Sequence, residues 1–317
     1  MDLPAIDSIS SDAPRPLWSV MIPTYNCAAY LRQTLESVLA QDPGPDQMQI
    51  EVVDDCSTGD NPETVVLEVG KGRVAFHRKP QNEGATRNFN TCIERARGRL
   101  VHILHGDDFV LPGFYQRIET LAETHPEVAL LATRSWIMDE THQTKNLTRR
   151  LPALETGARV VNDFFYENPL QTPAVVIRRN FYEQQGGFRV SLLHTADCEM
   201  WARAIDLGGG IVTEDALACY RMFAANDTSR LARTAENLRD IERLNQLFAA
   251  RHPAFDPQIA ARQVLRLTYK QLENFSKKGD VAATEANQQF WKTRASLPLR
   301  LRKMVAAKLR RLFGKNR

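Results

Sequence analysis

"HILHGDDFVLPG", residues 102–113, places two adjacent carboxylates directly after a short apolar run and just before a proline–glycine pair. Aspartate is common in surface turns, so one interpretation is a charged turn at a strand end. The other is a ligand site, because open α/β sheets bind ligands beyond the carboxyl ends of their strands. The choice depends on what the neighbouring strands carry at the same place.

The first half of the chain alternates short apolar runs with helical patterns. Strands are predicted at 19–22, 50–53, 74–77, 100–104 and 128–132, and helices near 28–40, 84–97 and 113–124. This alternation predicts an α/β domain with a mostly parallel sheet flanked by helices.

Polar residues follow three of these strands at equivalent places. "PTYN" (23–26) follows the first strand, "DDCS" (54–57) the second and "HGDD" (105–108) the fourth. Four carboxylates would then meet at one sheet edge, where they repel one another and raise each other's pKa unless cations lie among them. Two acidic pairs at equivalent places indicate a site that binds a cation or a cationic ligand.

The first turn, "IPTYNCAAYL" (22–31), excludes the common phosphate-binding loops. It has no glycine, so the G-x-G-x-x-G of dinucleotide oxidoreductases is absent, and the chain contains no P-loop. "DDCST" (54–58) lacks the alternating aspartates of an aspartyl phosphatase. A nucleotide bound here needs a cation on carboxylates to neutralise its diphosphate, and such hard oxygen ligands suit Mg²⁺ or Mn²⁺.

Six segments resemble the family 2 glycosyltransferases, in the same order and at similar spacing. They are "SVMIPTYN" (19–26), "IEVVDDCSTGD" (50–60), "NEGATRNFNTCIERARG" (82–98), "VHILHGDDFVLPGFY" (101–115), "GGFRVSLLHTADCEMWARA" (186–204) and "CYR" (219–221). The resemblance implies a GT-A fold, which is a Rossmann-like sheet domain, together with a nucleotide-sugar donor and a divalent cation. It also implies transfer with inversion at the anomeric carbon.

The resemblance implies roles for the residues that match its motifs. The implied donor-binding residues are Pro23, Thr24, Tyr25, Asp54, Asp55, Asn82, Gly84, Arg87, His105, Asp107 and Asp108. Among them, Asp107 is the implied metal ligand and Asp108 supports it, so the expected cofactor is Mn²⁺ or Mg²⁺. Arg87 is expected to pair with a carboxylate or a phosphate near a helix N-terminus, the alternative being an ordinary surface arginine.

Asp197 is the implied general base. Direct displacement requires the acceptor hydroxyl to lose its proton as it attacks, and a carboxylate with limited solvation can accept that proton. Asp197 shares a helical face with Met200 and Trp201, whereas Glu199 and Arg203 are expected to form an exposed i, i+4 pair. Glu199 is the weaker candidate for the base, and the alternative for Asp197 is a helix cap.

The chain departs from the family pattern at three positions. His105 stands where many relatives have the first acid of D-x-D, Ala196 stands where an acid often precedes the base, and Phe223 lies near a histidine that completes the metal shell in some relatives. His105 either contacts the ribose or diphosphate or only packs. The metal site then has few protein ligands, or the enzyme depends weakly on metal.

Composition sets the broad class and the domain organisation. The 317 residues, 43% hydrophobic and 25% charged, exceed the usual single domain. We expect a flexible N-terminal arm (1–17), a GT-A domain (18–230), a helical region (231–295) and a basic amphipathic tail (296–317). Five dispersed cysteines signal neither disulfides nor a zinc site and favour a reducing, cytoplasmic compartment.

The tail "SLPLRLRKMVAAKLRRLFGKNR" (296–317) carries eight Lys/Arg residues and no acid. Its apolar residues recur at mostly helical spacing, so the segment is expected either to lie on an anionic bilayer, at the inner face of the plasma membrane, or to pack as a solvated helix. Nucleic acid is not an expected partner, because no aromatic platform accompanies the local basic residues.

The sequence therefore predicts an inverting glycosyltransferase that moves a sugar from a nucleoside diphosphate, with UDP favoured, to a hydroxyl of a glycan or lipid-linked acceptor. Bacterial surface polysaccharide, lipopolysaccharide or capsule is the expected product class. A metal-dependent nucleotidyltransferase is one alternative, although "PTYNCAAYLRQ" (23–33) lacks the Gly-rich basic loop that it needs. The other is a degenerate, non-catalytic domain that binds a membrane or a partner through the tail.

Overall fold

The computed structural model describes residues 2–10, 14–151, 164–223 and 227–295. The chain divides into two compact units, Met1–Phe223 and Ala224–Arg317. The basic tail (296–317), and with it the expected membrane contact, lies outside the described residues.

The first unit contains every predicted strand and helix of the sheet domain. Its strands are β1 (Trp18–Thr24), β2 (Met48–Asp54), β3 (Ala75–Arg78), β4 (Leu100–Ile103), β5 (Phe109–Val110), β6 (Leu130–Asp139), β7 (Thr144–Leu147), β8 (Val175–Arg178) and β9 (Gly210–Met222). Its helices are α1 (Ala28–Leu39), α2 (Pro62–Gly70), α3 (Ala85–Arg95), α4 (Phe114–Thr124), α5 (Arg179–Gln185) and α6 (Ala196–Gly208), with a 3-10 turn at Thr172–Ala174.

The described strands form one sheet in the order β3-β2-β1-β4-β8-β6-β9-β5, with β7 paired to β6. The first four strands pair in parallel, as predicted. Beyond them the sheet is mixed, because β8 runs antiparallel to both of its neighbours while β6 and β9 are parallel. The strand order reverses at β1, so the carboxyl ends of β1, β2 and β4 meet at a topological switch point.

The central strands are buried on both faces. Every residue of β1, β2 and β4 is buried, including the polar Gln49, Glu51 and His102, as expected of strands covered on both faces. The entry to β4 requires a glycine, because a Cβ on Gly98 would lie 2.3 Å from the backbone carbon of Trp18. This close packing fixes the amino-terminal ends of β1 and β4 against each other.

Residues 2–10 pack against the rest of the first unit, which differs from the flexible arm that we expected. The carbonyl of Pro4 accepts a hydrogen bond from the Gly187 amide at 2.9 Å, and the Asp2 carboxylate pairs with Arg189 at 3.0 Å. Ile6 is buried, so removal of its apolar side chain from water also stabilises the packing of this segment.

The second unit is helical, as the Ala- and Leu-rich sequence predicts. Its described helices are α7 (Asp227–Arg233), α8 (Glu236–Arg251), α9 (Pro257–Lys277) and α10 (Val281–Arg294). Asp256 caps α9 by accepting hydrogen bonds from two backbone amides, with Pro257 in the first turn. Among the described residues, none of the helices combines the length and apolar character needed to cross a membrane.

Candidate functional site

The three polar turns predicted from the sequence lie side by side at the switch point. Thr24 is in register with Asp54 across β1 and β2. The Asp55 amide donates to the Thr24 carbonyl at 2.9 Å, and the Gly106 amide donates to the Pro23 carbonyl at 3.0 Å. The turns after β1, β2 and β4 therefore share one edge.

The turn after β1 offers an aromatic side chain at this edge. Tyr25 is 47% exposed, whereas Thr24 is buried with its hydroxyl 2.8 Å from the Cys27 sulfur. The ring of Tyr25 is thus accessible to a ligand, while Pro23 and Thr24 form the end of the strand that supports it.

Asp54 is fully buried, and its carboxylate is bonded within the protein. Arg78 Nε donates to Oδ2 at 2.7 Å, and the amide and hydroxyl of Ser57 also donate to this carboxylate. These bonds fix the turn that follows β2.

Asp55 holds the loop in front of α3. Its carboxylate accepts hydrogen bonds from the Glu83 amide at 3.1 Å and the Gly84 amide at 2.8 Å, and forms a salt bridge with Lys79 Nζ at 2.9 Å. Lys79 is itself buried and pairs with Glu83 at 2.6 Å. The cations that an acidic edge requires are therefore Arg78 and Lys79, at the end of β3.

Sequence reasoning missed these two cations, although the signal was present. "HRKP" (77–80) follows the predicted third strand, so basic residues occupy the place where the second and fourth strands carry acids. Donor binding by Asp54 and Asp55 remains a prediction. Both carboxylates already have internal partners in this structure.

The segment 82–87 lies against the same edge. The Asn82 side-chain amide donates to the Asp55 carbonyl at 3.1 Å, and Gly84 has φ +88°, a conformation that favours glycine. Arg87 follows in the first turn of α3 and is exposed. Its guanidinium is therefore accessible to an anion.

The turn after β4 brings three metal-ligating side chains together. One ligand atom from each of His105, Asp107 and Asp108 lies within 4.8 Å of the other two. Asp108 is buried; its Oδ1 accepts a hydrogen bond from the Arg221 amide at 2.8 Å, whereas no hydrogen bond from the described residues reaches its Oδ2. His105 Nδ1 lies 3.6 Å from that oxygen, and its ring stacks on Phe89.

Electrostatics at this turn differ from those after β2. Burial raises the pKa of Asp107 to about 6, partly opposed by the charge of Arg221. Burial and, next, the negative charge of Asp107 raise the pKa of Asp108 well above its usual value. The expected repulsion thus acts on Asp108, although burial is the larger cause. A donor set of two carboxylates and an imidazole, in a site that disfavours uncompensated negative charge, fits Mn²⁺ or Mg²⁺.

Arg221, at the end of β9, is a further residue that sequence reasoning did not place in the site. It is buried, its guanidinium lies 4.5 Å from the centre of the Tyr30 ring, and its amide holds Asp108. Phe223 also packs on Tyr30, with ring centres 4.9 Å apart. The position near which some relatives are expected to carry a histidine is therefore an aromatic contact here.

Asp197 lies in the first turn of α6 and is half-buried. Asn168 Nδ2 donates a hydrogen bond to its Oδ2 at 3.0 Å. Thr195 stands at the N-cap position without a side-chain cap bond, whereas Asp197 Oδ1 accepts a hydrogen bond from the Cys198 amide in the same first turn at 2.7 Å. The carboxylate therefore satisfies one amide at the helix N-terminus, as the cap alternative expects, and its role as general base stays a prediction. Asn168 was also missed, because nothing in the sequence links it to a residue 29 positions away.

Two side chains of α3 fasten the segment that leads to Asp197. Asn90 exchanges two hydrogen bonds with the backbone of Phe188, at 2.9 and 2.7 Å, and Thr86 Oγ1 donates to the Leu192 carbonyl at 2.7 Å. The helix whose N-terminus adjoins Asp55 thus also anchors the chain before Asp197.

The expectation of an exposed Glu199–Arg203 pair was wrong. Both side chains are buried, and Arg203 donates to the backbone carbonyls of Gln185 and Gly187 at 2.7 Å as well as to Glu199. The pair is buried because this helix face packs on the glycine turn 186–187. Glu199 is held by Arg203 and by Arg189, each at 3.0 Å, so its carboxylate is engaged in a structural ion-pair network.

Comparison with known proteins agrees with this geometry. The model of Glycosyl transferase family 2 matches residues 19–194. An uncharacterized protein of Mycobacterium tuberculosis is 30% identical over 247 residues, which are 74% of this chain and 76% of that protein. The succinoglycan biosynthesis protein ExoO of Rhizobium meliloti is 28% identical over 246 residues, which are 74% of this chain and 66% of that protein.

Solved structures show the same fold at low identity. TarS of S. aureus, solved in complex with UDP-GlcNAc, has a TM-score of 0.57 and 18% identity, covering 78% of this chain and 70% of that one. The mannosyltransferase PcManGT of Pyrobaculum calidifontis, solved with GDP-Man and Mn²⁺, has a TM-score of 0.55 and 16% identity, covering 98% and 92%. The switch-point sheet, the acidic turns and the match over more than half of the sequence lead to one conclusion: the chain belongs to glycosyl transferase family 2 and has a GT-A fold.

Proposed function

We propose that the protein is an inverting glycosyltransferase that transfers a sugar from a nucleoside-diphosphate sugar, with a UDP-sugar as first candidate, to an acceptor hydroxyl of a glycan or lipid-linked acceptor. The product would be a bacterial surface glycan. The observation that carries the proposal is the group of His105, Asp107 and the buried Asp108 at the switch point of the sheet. Relatives add support, since ExoO acts in succinoglycan biosynthesis and TarS was solved with UDP-GlcNAc.

The donor lies along the carboxyl edge of β1 and β2 in this proposal. The exposed ring of Tyr25 packs on the nucleobase beside Pro23 and Thr24. Asp54 and Asp55 contribute to nucleotide binding indirectly, because their carboxylates hold the turn after β2 and the loop before α3 in place. The exposed Arg87 is the cation available to the diphosphate from the first turn of α3, where helix N-termini favour anions.

Asp107 and Asp108 would hold Mn²⁺ or Mg²⁺, which when bound neutralises the negative charge of the leaving diphosphate. PcManGT, of the same fold, was solved with Mn²⁺ and its GDP-sugar. The contribution of the chain itself is two adjacent carboxylates, of which the buried Asp108 is fixed by the backbone amide of Arg221.

Asp197 acts as the general base. The acceptor oxygen attacks the anomeric carbon from the face opposite the diphosphate, the bond from that carbon to the diphosphate oxygen breaks with its electron pair, and the hydroxyl proton passes to an oxygen of Asp197. Attack from the opposite face inverts the configuration. Asn168 orients the carboxylate through its bond to Oδ2.

Thermal unfolding with nucleotides tests donor binding. A ligand specific for the native state stabilises it by RT ln(1 + [L]/Kd), about 2.7 kcal/mol at a hundredfold excess over Kd. We expect one of UDP, TDP or GDP to raise the melting temperature, more so with Mn²⁺, and the matching sugar donors to be hydrolysed slowly without acceptor. If none of these nucleotides raises it, the proposal is wrong.

We also propose peripheral attachment to anionic membranes through residues 296–317, on the strength of the eight basic residues in that segment. Co-sedimentation with phosphatidylserine vesicles should fall when the segment is deleted, and should weaken as salt is raised. Equal sedimentation of the full chain and the deletion variant would refute the attachment.

A further inference from the structure

We propose that His105 is a third protein ligand of the cation, so that His105, Asp107 and Asp108 form a site that favours Mn²⁺ over Mg²⁺. This inference rests on the proposed function for its biological meaning. The binding itself is measurable without any sugar donor.

The spacing of the three side chains fits a shared ion. Their ligand atoms lie within 4.8 Å of one another, and His105 Nδ1 is 3.6 Å from Asp108 Oδ2. That distance is too long for a hydrogen bond. An octahedral cation about 2.1 Å from each ligand separates neighbouring ligand atoms by about 3 Å and opposite ones by about 4 Å. Small side-chain shifts therefore bring all three onto one ion.

The second observation is the state of Asp108. The residue is 1% exposed, its Oδ1 is occupied by the Arg221 amide, and its Oδ2 accepts no hydrogen bond from the described residues. A buried carboxylate oxygen without a partner costs free energy. This oxygen lies 3.6 Å from His105 Nδ1, and a cation between the two groups gives the oxygen a partner.

The imidazole is held in place for this task. Its ring stacks on Phe89, with centres 5.0 Å apart and planes 14° apart. Phe89 lies between two residues of α3 that are themselves fixed, because Asn88 donates to the Val53 carbonyl and Asn90 bonds the Phe188 backbone. A ligand with a restricted ring orientation loses less conformational entropy on binding.

Ligand chemistry sets the metal preference. Mg²⁺ prefers an all-oxygen shell in near-ideal octahedral geometry, whereas imidazole nitrogen is a normal ligand of first-row transition ions. Replacing His105 with aspartate supplies an oxygen in its place. The inference therefore predicts opposite effects of His105→Asp on the two metals.

The test is pulsed electron paramagnetic resonance of Mn²⁺ bound to the full chain, without donor. The wild type should show ¹⁴N coupling to the bound ion, and His105→Gln should lose this coupling together with at least tenfold of its Mn²⁺ affinity. His105→Asp should bind Mn²⁺ without the coupling and bind Mg²⁺ relatively better than the wild type does. His125→Gln is the matched control, since His125 pairs with Glu127 beyond the end of α4 and should retain the coupling.

Circular dichroism and thermal unfolding show whether each variant is folded. No Mn²⁺ binding, bound Mn²⁺ without nitrogen coupling in the wild type, or full coupling in folded His105→Gln would overturn the inference. Donor turnover with Mn²⁺ but without coupling would leave the proposed function standing and remove only the ligand role of His105. Mn²⁺ with nitrogen coupling but no nucleotide binding would leave the ligand role of His105 standing and remove the proposed function.

Discussion

The substitution Asp55→Asn should destabilise the sheet domain far more than a surface acid-to-amide change. Asp55 and Lys79 form a buried salt bridge, with side chains 3% and 5% exposed. Removing one partner of such a pair costs about 3–5 kcal/mol. Glu83 remains 2.6 Å from Lys79, so we expect the lower end of that range, about 3 kcal/mol. At 2–4 °C per kcal/mol for a domain of this size, the melting temperature falls by about 6–12 °C.

Thermal unfolding followed by circular dichroism, with a urea titration beside it, measures this loss. Glu68→Gln is the control, because Glu68 pairs with Arg32 where both side chains are more than half exposed, and such a pair contributes less than about 1 kcal/mol. Asp55→Asn should also weaken nucleotide binding, since the carboxylate holds the Glu83 and Gly84 amides of the loop before α3. Equal, small losses in the two variants would refute a structural role for Asp55.

Three further predictions concern the other parts of the site. Asn168→Ala removes a hydrogen bond to the charged Asp197, and such a bond contributes about 1.5–3 kcal/mol. We therefore expect kcat to fall about 10–100-fold while the affinity for the donor stays unchanged. An unchanged kcat would show that Asn168 does not orient the base. Burial raises the pKa of Asp107 to about 6, so below that pH a cation must displace a proton from this carboxyl group in order to bind. The Mn²⁺ affinity measured by calorimetry should therefore rise between about pH 5 and pH 7. An affinity that does not change with pH would place the ion elsewhere. Gly187→Ala puts a Cβ 2.3 Å from Asn90 Oδ1, so the variant should lose about 2–3 kcal/mol of stability, and a wild-type melting temperature would mean that the turn shifts freely.

Local patterns were enough to predict the edge that carries the site. The segments that became β1, β2 and β4 are mostly apolar because both of their faces are buried, and polar turns mark where they end. The two-residue strand β5 is too short to leave a pattern. The antiparallel placement of β8 depends on pairings with β4 and β6 that no local pattern encodes.

The parts of the site that the sequence did not reveal depend on tertiary contacts. Lys79 reaches Asp55 from the end of another strand, and Asn168 reaches Asp197 from a separate loop. Glu199 and Arg203 have the spacing of a surface ion pair. They are buried because Arg203 donates hydrogen bonds to the backbone carbonyls of Gln185 and Gly187, at the glycine turn 186–187. Their burial is a property of the packed structure and not of the helix alone.

The most direct test of the central claim compares the wild type with Asp197→Asn in two measurements on the same preparation. The first is binding of the nucleotide, measured by calorimetry. The second is release of nucleoside diphosphate from the matching sugar donor in the presence of acceptor. A general base contributes about 10²–10⁴-fold to the rate, so release should fall by that factor while the Kd for the nucleotide stays within about twofold. A variant that keeps the wild-type rate, or that loses nucleotide binding together with its activity, would contradict the assignment of Asp197 as the base beside a separate donor site.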